Sequence, residues 1–190
     1  MDDLRAGREM GSRRRPGQGE THVWYERLTG TPLGTLWVAV SDRGVAAVVL
    51  GGDEAHLRRM LGRRFGGLLQ RDGEKTASAV EQLQQYLAGR RSSFDLPLDL
   101  EGLPPFQRRV LREICKVPPG AVATYGEIAR RLGRPRAARA VGQALARNPI
   151  PLIIPCHRVV AADGQLRGYS GGAGLKTKAQ LLVLEGAISR

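Results

Sequence analysis

The sequence predicts a two-domain α+β (α/β) chain. A small N-terminal sheet-plus-helix unit is followed by a mostly helical unit that contains a helix-turn-helix. Three observations carry that expectation. Runs rich in β-branched and aromatic residues fill the stretch from Thr21 to Leu50 and then stop. From Phe106 onward, apolar residues recur at helical spacing. Charge divides the same way: residues 31–105 hold nine basic and nine acidic side chains, whereas 106–158 hold eleven basic and two acidic.

Residues 1–20, polar and rich in Gly and Arg without periodicity, are expected to be a flexible tail. THVWYERL, GTLWVAV and GVAAVVL read as strands, the last two joined by a hairpin turn at Ser41-Asp42-Arg43-Gly44. Residues 53–65 read as a helix opened by Asp53. Residues 76–88 place Val80, Leu83 and Leu87 on one helical face, with Gly89 as the stop. SSFDLPLDLEGLPP then reads as an extended linker, so the N-terminal unit spans residues 21–103 and the C-terminal unit 104–190.

In the second unit, Phe106, Val110, Leu111, Ile114 and Val117 form one apolar helix face, and Cys115 beside them is expected to pack or to be partly buried. Pro118-Pro119-Gly120 ends that helix. Thr124 and Glu127 form a capping box before YGEIARRLG. Gly133 closes this helix, Pro135 suits the first turn of the next, and ARAVGQALAR runs on to Asn148-Pro149. Two short helices across a tight turn make a helix-turn-helix, a pattern also common in proteins that never touch DNA. Its second helix is built from Ala137, Ala138, Ala140, Gly142, Ala144 and Ala146, which favours close backbone approach over long base-reading side chains.

Net charge is +12, with 30 Lys+Arg against 18 Asp+Glu. A basic block confined to one folded segment is the footprint of a polyanion-binding face. With 26 Arg and only 4 Lys, a general arginine bias is the competing account. No apolar run approaches the roughly 20 residues of a spanning helix, so no membrane partner is expected. Two cysteines cannot make a disulfide framework, and a cytoplasmic setting is the natural expectation.

Ile150-Pro151-Leu152-Ile153-Ile154-Pro155 delivers Cys156, His157 and Arg158 in succession. A free thiol near pKa 8.5 is only about 3% thiolate at pH 7, so a nucleophilic role needs nearby groups that favour the anion. In an extended segment Cys156 and His157 point to opposite sides, so a bend or a bridging water is required.

The block from FQRRVLREICKV through ARAVG and NPIPLIIPCHRVV to GYSGG and LLVLEG resembles the O6-alkylguanine-DNA alkyltransferases (methylated-DNA–protein-cysteine methyltransferases). The likeness covers about residues 104–186 and extends faintly to the N-terminal unit, for which it implies an RNase H-like domain. It implies single-turnover transfer of the alkyl group from O6-alkylguanine, and also O4-alkylthymine, to Cys156. The partner would be double-stranded DNA bound from the minor-groove side by a monomer. Arg139 would enter the base stack, with Ala138, Ala140, Gly142, Arg136 and Thr124 along the DNA, while Tyr125 would help rotate the phosphate. The flipped base would sit among Tyr169, Ser170, Val159, Pro151 and Leu145. Tyr125 would donate toward N3 and Ser170 toward O6. His157, oriented by Glu185, would deprotonate Cys156 through a water, and Asn148 would tie down the preceding turn. No cofactor is expected. No metal is expected either: some relatives hold a structural zinc in the first domain, but here that unit offers only His22 and His56. The match at Lys178 is loose, because AGLKTKAQ is longer than in some relatives. The alternative reading is a helix-turn-helix lesion-binding or regulatory protein of the alkyltransferase-like type. Such lesion binders carry Trp where this chain has Cys156.

Overall fold

The computed structural model describes residues 21–189. The expected tail, residues 1–20, lies outside the described residues. The N-terminal unit is a four-stranded sheet of β1 (Val23–Thr31), β2 (Gly34–Ser41), β3 (Gly44–Leu50) and β4 (Leu69–Arg71), in the order β3-β2-β1-β4. The first three strands are antiparallel, and β4 runs parallel to β1.

Side-chain alternation divides the sheet between two cores. Val23, Tyr25, Trp37, Ala39 and Ala47 face Leu57 and Leu61 of α1 (Glu54–Phe65). Leu28, Leu36 and Val38 face the opposite way, against Ala79, Leu83, Tyr86 and Leu87 of α2 (Gly73–Leu87). In β3 both Val45 and Val48 join this second core, because one extra residue slips the register against β2 between Ala39 and Val40. Ala46, the extra residue, turns its carbonyl to Arg64 Nη1 at 2.7 Å.

The second unit holds α3 (Pro105–Ile114), β5 (Ala123–Thr124), α4 (Tyr125–Arg131), α5 (Ala138–Ala146), β6 (Val159–Val160) and α6 (Leu175–Leu184). Its apolar side chains share a single core with the α2 face of the sheet. The exposed edge of β3 is covered from both sides of that junction. Val45 N donates to Pro97 O at 2.8 Å, and Val48 N donates to Pro149 O at 2.9 Å. The sheet therefore grips the loop that precedes Cys156.

Several local expectations change. α2 starts at Gly73 rather than Thr76, because Asp72 accepts from the Glu74 and Lys75 amides and so caps it. β1 extends to Thr31, and β4 has no counterpart in the sequence reading. Pro135 stands in the turn before α5 instead of in its first helical turn. α3 stops at Ile114, and Cys115, at its C-cap, is exposed rather than packed.

Candidate active site

Asn148 organises the loop that presents Cys156. Its Oδ1 accepts from Ile150 N at 3.0 Å, an N–H donor that fixes which way the amide points. Nδ2 then faces Ile154 O at 3.0 Å and Cys156 Sγ at 3.2 Å. Between them the chain makes a tight turn in which Leu152 adopts φ of 73°, the left-handed region. A branched residue there costs about 1–2 kcal/mol. Complete burial of the Leu152 side chain and the three Asn148 bonds hold it in place.

Cys156–Arg158 form a 3-10 turn, which is the bend that an extended run would have lacked. The turn sends His157 inward, where the imidazole is fully buried. Its Nε2 lies 3.0 Å from Glu185 Oε1. A carboxylate only accepts, so Nε2 carries the proton and Nδ1 is the basic nitrogen. Nδ1 is buried and has no protein partner among the described residues. Cys156 and His157 make no direct bond among the hydrogen bonds of this turn.

Glu185, at the C-cap of α6, is a costly place for an anion, since the helix end is already negative. Arg158 offsets this with Nε to Oε2 at 2.9 Å and Nη2 to Oε1 at 2.8 Å, while its Nη1 donates to Val117 O at 2.6 Å. Burial alone would raise the Glu185 pKa, but hydrogen bonds from His157, Arg158 and Tyr86 bring it down to about 2. Burial lowers the His157 pKa against the pull of Glu185, so the imidazole is a neutral base at neutral pH. Burial also raises the Cys156 thiol, opposed by the Asn148 hydrogen bond and the Lys178 charge.

A groove of about 520 Å³ runs between α4, α5 and the segment Arg167–Ser170, and two of its lining residues, Tyr125 and Tyr169, lie within electrostatic reach of Cys156. Tyr125, Ala138, Arg139, Gly142, Tyr169 and Ser170 line it. The small α5 residues keep it open, and Gly142 lies against the Tyr125 ring. Tyr125 Oη donates to Arg167 O at 3.1 Å, and Gly168, at φ of 65°, leaves no room there for a Cβ. The Tyr169 hydroxyl is buried without a partner among the described residues. Arg139 and Arg136 project into solvent from α5 and the turn before it.

Other sequence candidates sit apart from the groove. Thr124 is the N-cap of α4, its Oγ1 accepting from Glu127 N at 3.1 Å. Leu145 and Pro151 are buried, and Ala140 lies on α5 outside the lining. Val159, expected near the flipped base, is buried, and its carbonyl accepts from Lys178 Nζ at 2.6 Å. Lys178 is fully buried and also donates to Arg167 O at 2.9 Å. Burial lowers its pKa to about 8, against the opposing pull of Cys156. Arg158, Lys178 and Tyr86 are the residues that sequence reasoning left out of the site. For Arg158 the adjacency to His157 was the available signal, whereas Tyr86 gives none beyond an aromatic in an amphipathic helix.

Residues 105–187 match the family described as 6-O-methylguanine DNA methyltransferase, DNA binding domain, and residues 24–100 match its ribonuclease-like domain. A methylated-DNA–protein-cysteine methyltransferase of Methanosarcina acetivorans is 40% identical over 158 residues, covering 80% of this chain and 99% of that protein. The counterpart in Mycolicibacterium paratuberculosis is 53% identical over 109 residues, and the match spans 57% of this chain and 64% of its length. Mycobacterium tuberculosis O6-methylguanine methyltransferase superposes with a TM-score of 0.73 at 36% identity, covering 88% of this chain and 95% of that one. The same enzyme solved in complex with DNA gives 0.73 at 37%, covering 87% and 93%. By these matches over both units, the chain belongs to the 6-O-methylguanine DNA methyltransferase family.

Proposed function

We propose that this protein repairs DNA by transferring the alkyl group of O6-alkylguanine to its own Cys156, once per molecule. The observation that carries the reading is the arrangement around one thiol. Asn148 donates to Sγ, a buried His157–Glu185 pair presents a basic Nδ1, and an open groove lies alongside. The thiol proton passes to Nδ1 through solvent, and Glu185 stabilises the imidazolium. The sulfur then forms a bond to the alkyl carbon while the carbon–O6 bond breaks, its electron pair leaving on guanine. Nothing in the cluster is placed to hydrolyse the resulting thioether, so the protein is consumed.

In this reading α5 enters the minor groove of duplex DNA. Ala138 and Gly142 allow close approach, and exposed Arg139 fills the gap left by the flipped nucleotide. Tyr125, Tyr169 and Ser170 border the base, and a cytoplasmic monomer is the acting form. A thiol at position 156 favours transfer over lesion binding alone. Incubation with an O6-methylguanine duplex tests the proposal: intact mass is expected to rise by one methyl on the Cys156 peptide, stoichiometrically. Repeated turnover overturns it.

Arg139→Ala separates DNA handling from chemistry. Flipping costs a few kcal/mol, so repair in duplex is expected to slow about ten-fold or more. Reaction with free O6-benzylguanine, which needs no flipping, is expected to hold within about two-fold. Equal loss on both substrates removes the flipping role.

A further inference from the structure

Tyr86 belongs to α2 of the N-terminal unit, yet its hydroxyl ends in the cluster of the other unit. The ring is buried against Phe94, with centroids 5.0 Å apart, and a phenylalanine would fill that space equally well. The hydroxyl is what packing does not explain, because burying it costs free energy unless it finds partners. Its partners are Glu185 Oε1 at 2.6 Å and His157 Nε2 at 3.4 Å, 99 and 71 residues away in the chain. We propose that Tyr86 is a positioning residue for alkyl transfer, through which the N-terminal unit sets how strongly Glu185 attracts a proton on His157. The inference rests on the reading of Cys156, His157 and Glu185 as the transfer machinery.

The direction follows from hydrogen-bond chemistry. Glu185 Oε1 receives Tyr86, His157 and Arg158 together, so each donor draws on the same negative charge. The Tyr86 proton competes with the imidazole N–H and weakens the pull on the imidazolium. Burial and the neighbouring carboxylate keep the phenol protonated, so its O–H stays on Glu185 Oε1, the short contact at 2.6 Å, while its oxygen meets the His157 Nε2–H only at the long distance of 3.4 Å. The other groups that act on His157 are Arg158 and Lys178, both cationic, with the Cys156 thiol adjacent in the turn. The segment after α3 contributes the Val117 carbonyl, which is occupied by Arg158, and the Cys115 thiol, which the Arg158 charge reaches. Without the Tyr86 hydroxyl, Glu185 holds the imidazolium more tightly, and His157 protonates at higher pH.

The test uses the full chain with Tyr86→Phe, which keeps the ring. Transfer from free O6-benzylguanine is measured against pH, and the His157 imidazole is titrated by nitrogen NMR. Both the acid limb of the rate and the His157 titration are expected to move up by about half a pH unit or more, so that transfer on that limb slows about three-fold or more. If neither moves, Tyr86 only packs and the proposal fails, whatever happens to the melting temperature. A downward shift overturns it as well. Should the variant fold poorly, 3,5-difluorotyrosine at position 86, a stronger donor, is expected to shift the titration downward; no shift overturns the proposal. The imidazole titration reads Tyr86 whether or not Cys156 is alkylated, so failure here is distinct from failure of the transfer reading.

Discussion

Cys156→Ser is expected to reduce alkyl transfer to undetectable levels while duplex affinity stays within about two-fold. The two properties separate because they sit on different groups. Binding would come from α5 and the exposed arginines, whereas the bond to carbon needs a polarizable anion. A serine hydroxyl at 156 can still receive the Asn148 amide proton that now reaches Sγ at 3.2 Å, so the loop keeps its anchor. Replacing a buried thiol by a hydroxyl costs about 1–3 kcal/mol, which leaves a folded protein with a modestly lower melting temperature. Intact mass after incubation with an O6-methylguanine duplex reads the chemistry, and fluorescence anisotropy on the same duplex reads binding. Persistent mass gain in the variant moves the nucleophile elsewhere. Joint loss of both properties means the loop itself forms part of the DNA surface.

Features encoded by neighbouring residues were legible in the sequence. Asp53 does accept from His56 N, Thr124 and Glu127 do form the capping box, and Gly89 follows the end of α2 with φ of 70°. Each signal lies within four residues of the atoms it satisfies. β4 left no such mark, since Leu69–Arg71 is a short, mostly polar strand that exists by pairing with β1 some 45 residues earlier. The turn at Cys156–Arg158 was hidden for a related reason. Its shape depends on Arg158 reaching Glu185 and Val117, which are 27 and 41 residues away. Charge counting was right about where the basic residues cluster and wrong about one of them. Arg158 contributes to the excess of residues 106–158, yet it is 6% exposed and paired inside the protein. The sequence also could not reveal that both units share one core, so that Tyr86 and Pro149 join them at the candidate site.

The buried position of Arg158 leads to a second large effect. Arg158→Met is expected to destabilise the fold by about 3–5 kcal/mol at neutral pH, lowering the melting temperature by about 10 °C. The loss comes from what remains: Glu185, with a side chain 2% exposed, would keep its charge with only His157 and Tyr86 as donors, and Val117 O would lose its partner. Acid distinguishes this cause from a simple packing defect. In the intact protein Glu185 titrates near 2, below the ordinary carboxylate value of 4.5. A depressed folded pKa stabilises above the unfolded pKa, and that contribution, about 3 kcal/mol, is lost as pH falls from about 4.5 toward 2. In the variant the guanidinium no longer offsets burial, so the Glu185 pKa rises and protonation relieves an unpaired charge. The gap in melting temperature between the two proteins is therefore expected to narrow as pH falls from 5 to 3. A gap that stays constant over that range assigns the loss to Arg158 packing alone and removes the ion pair from the account.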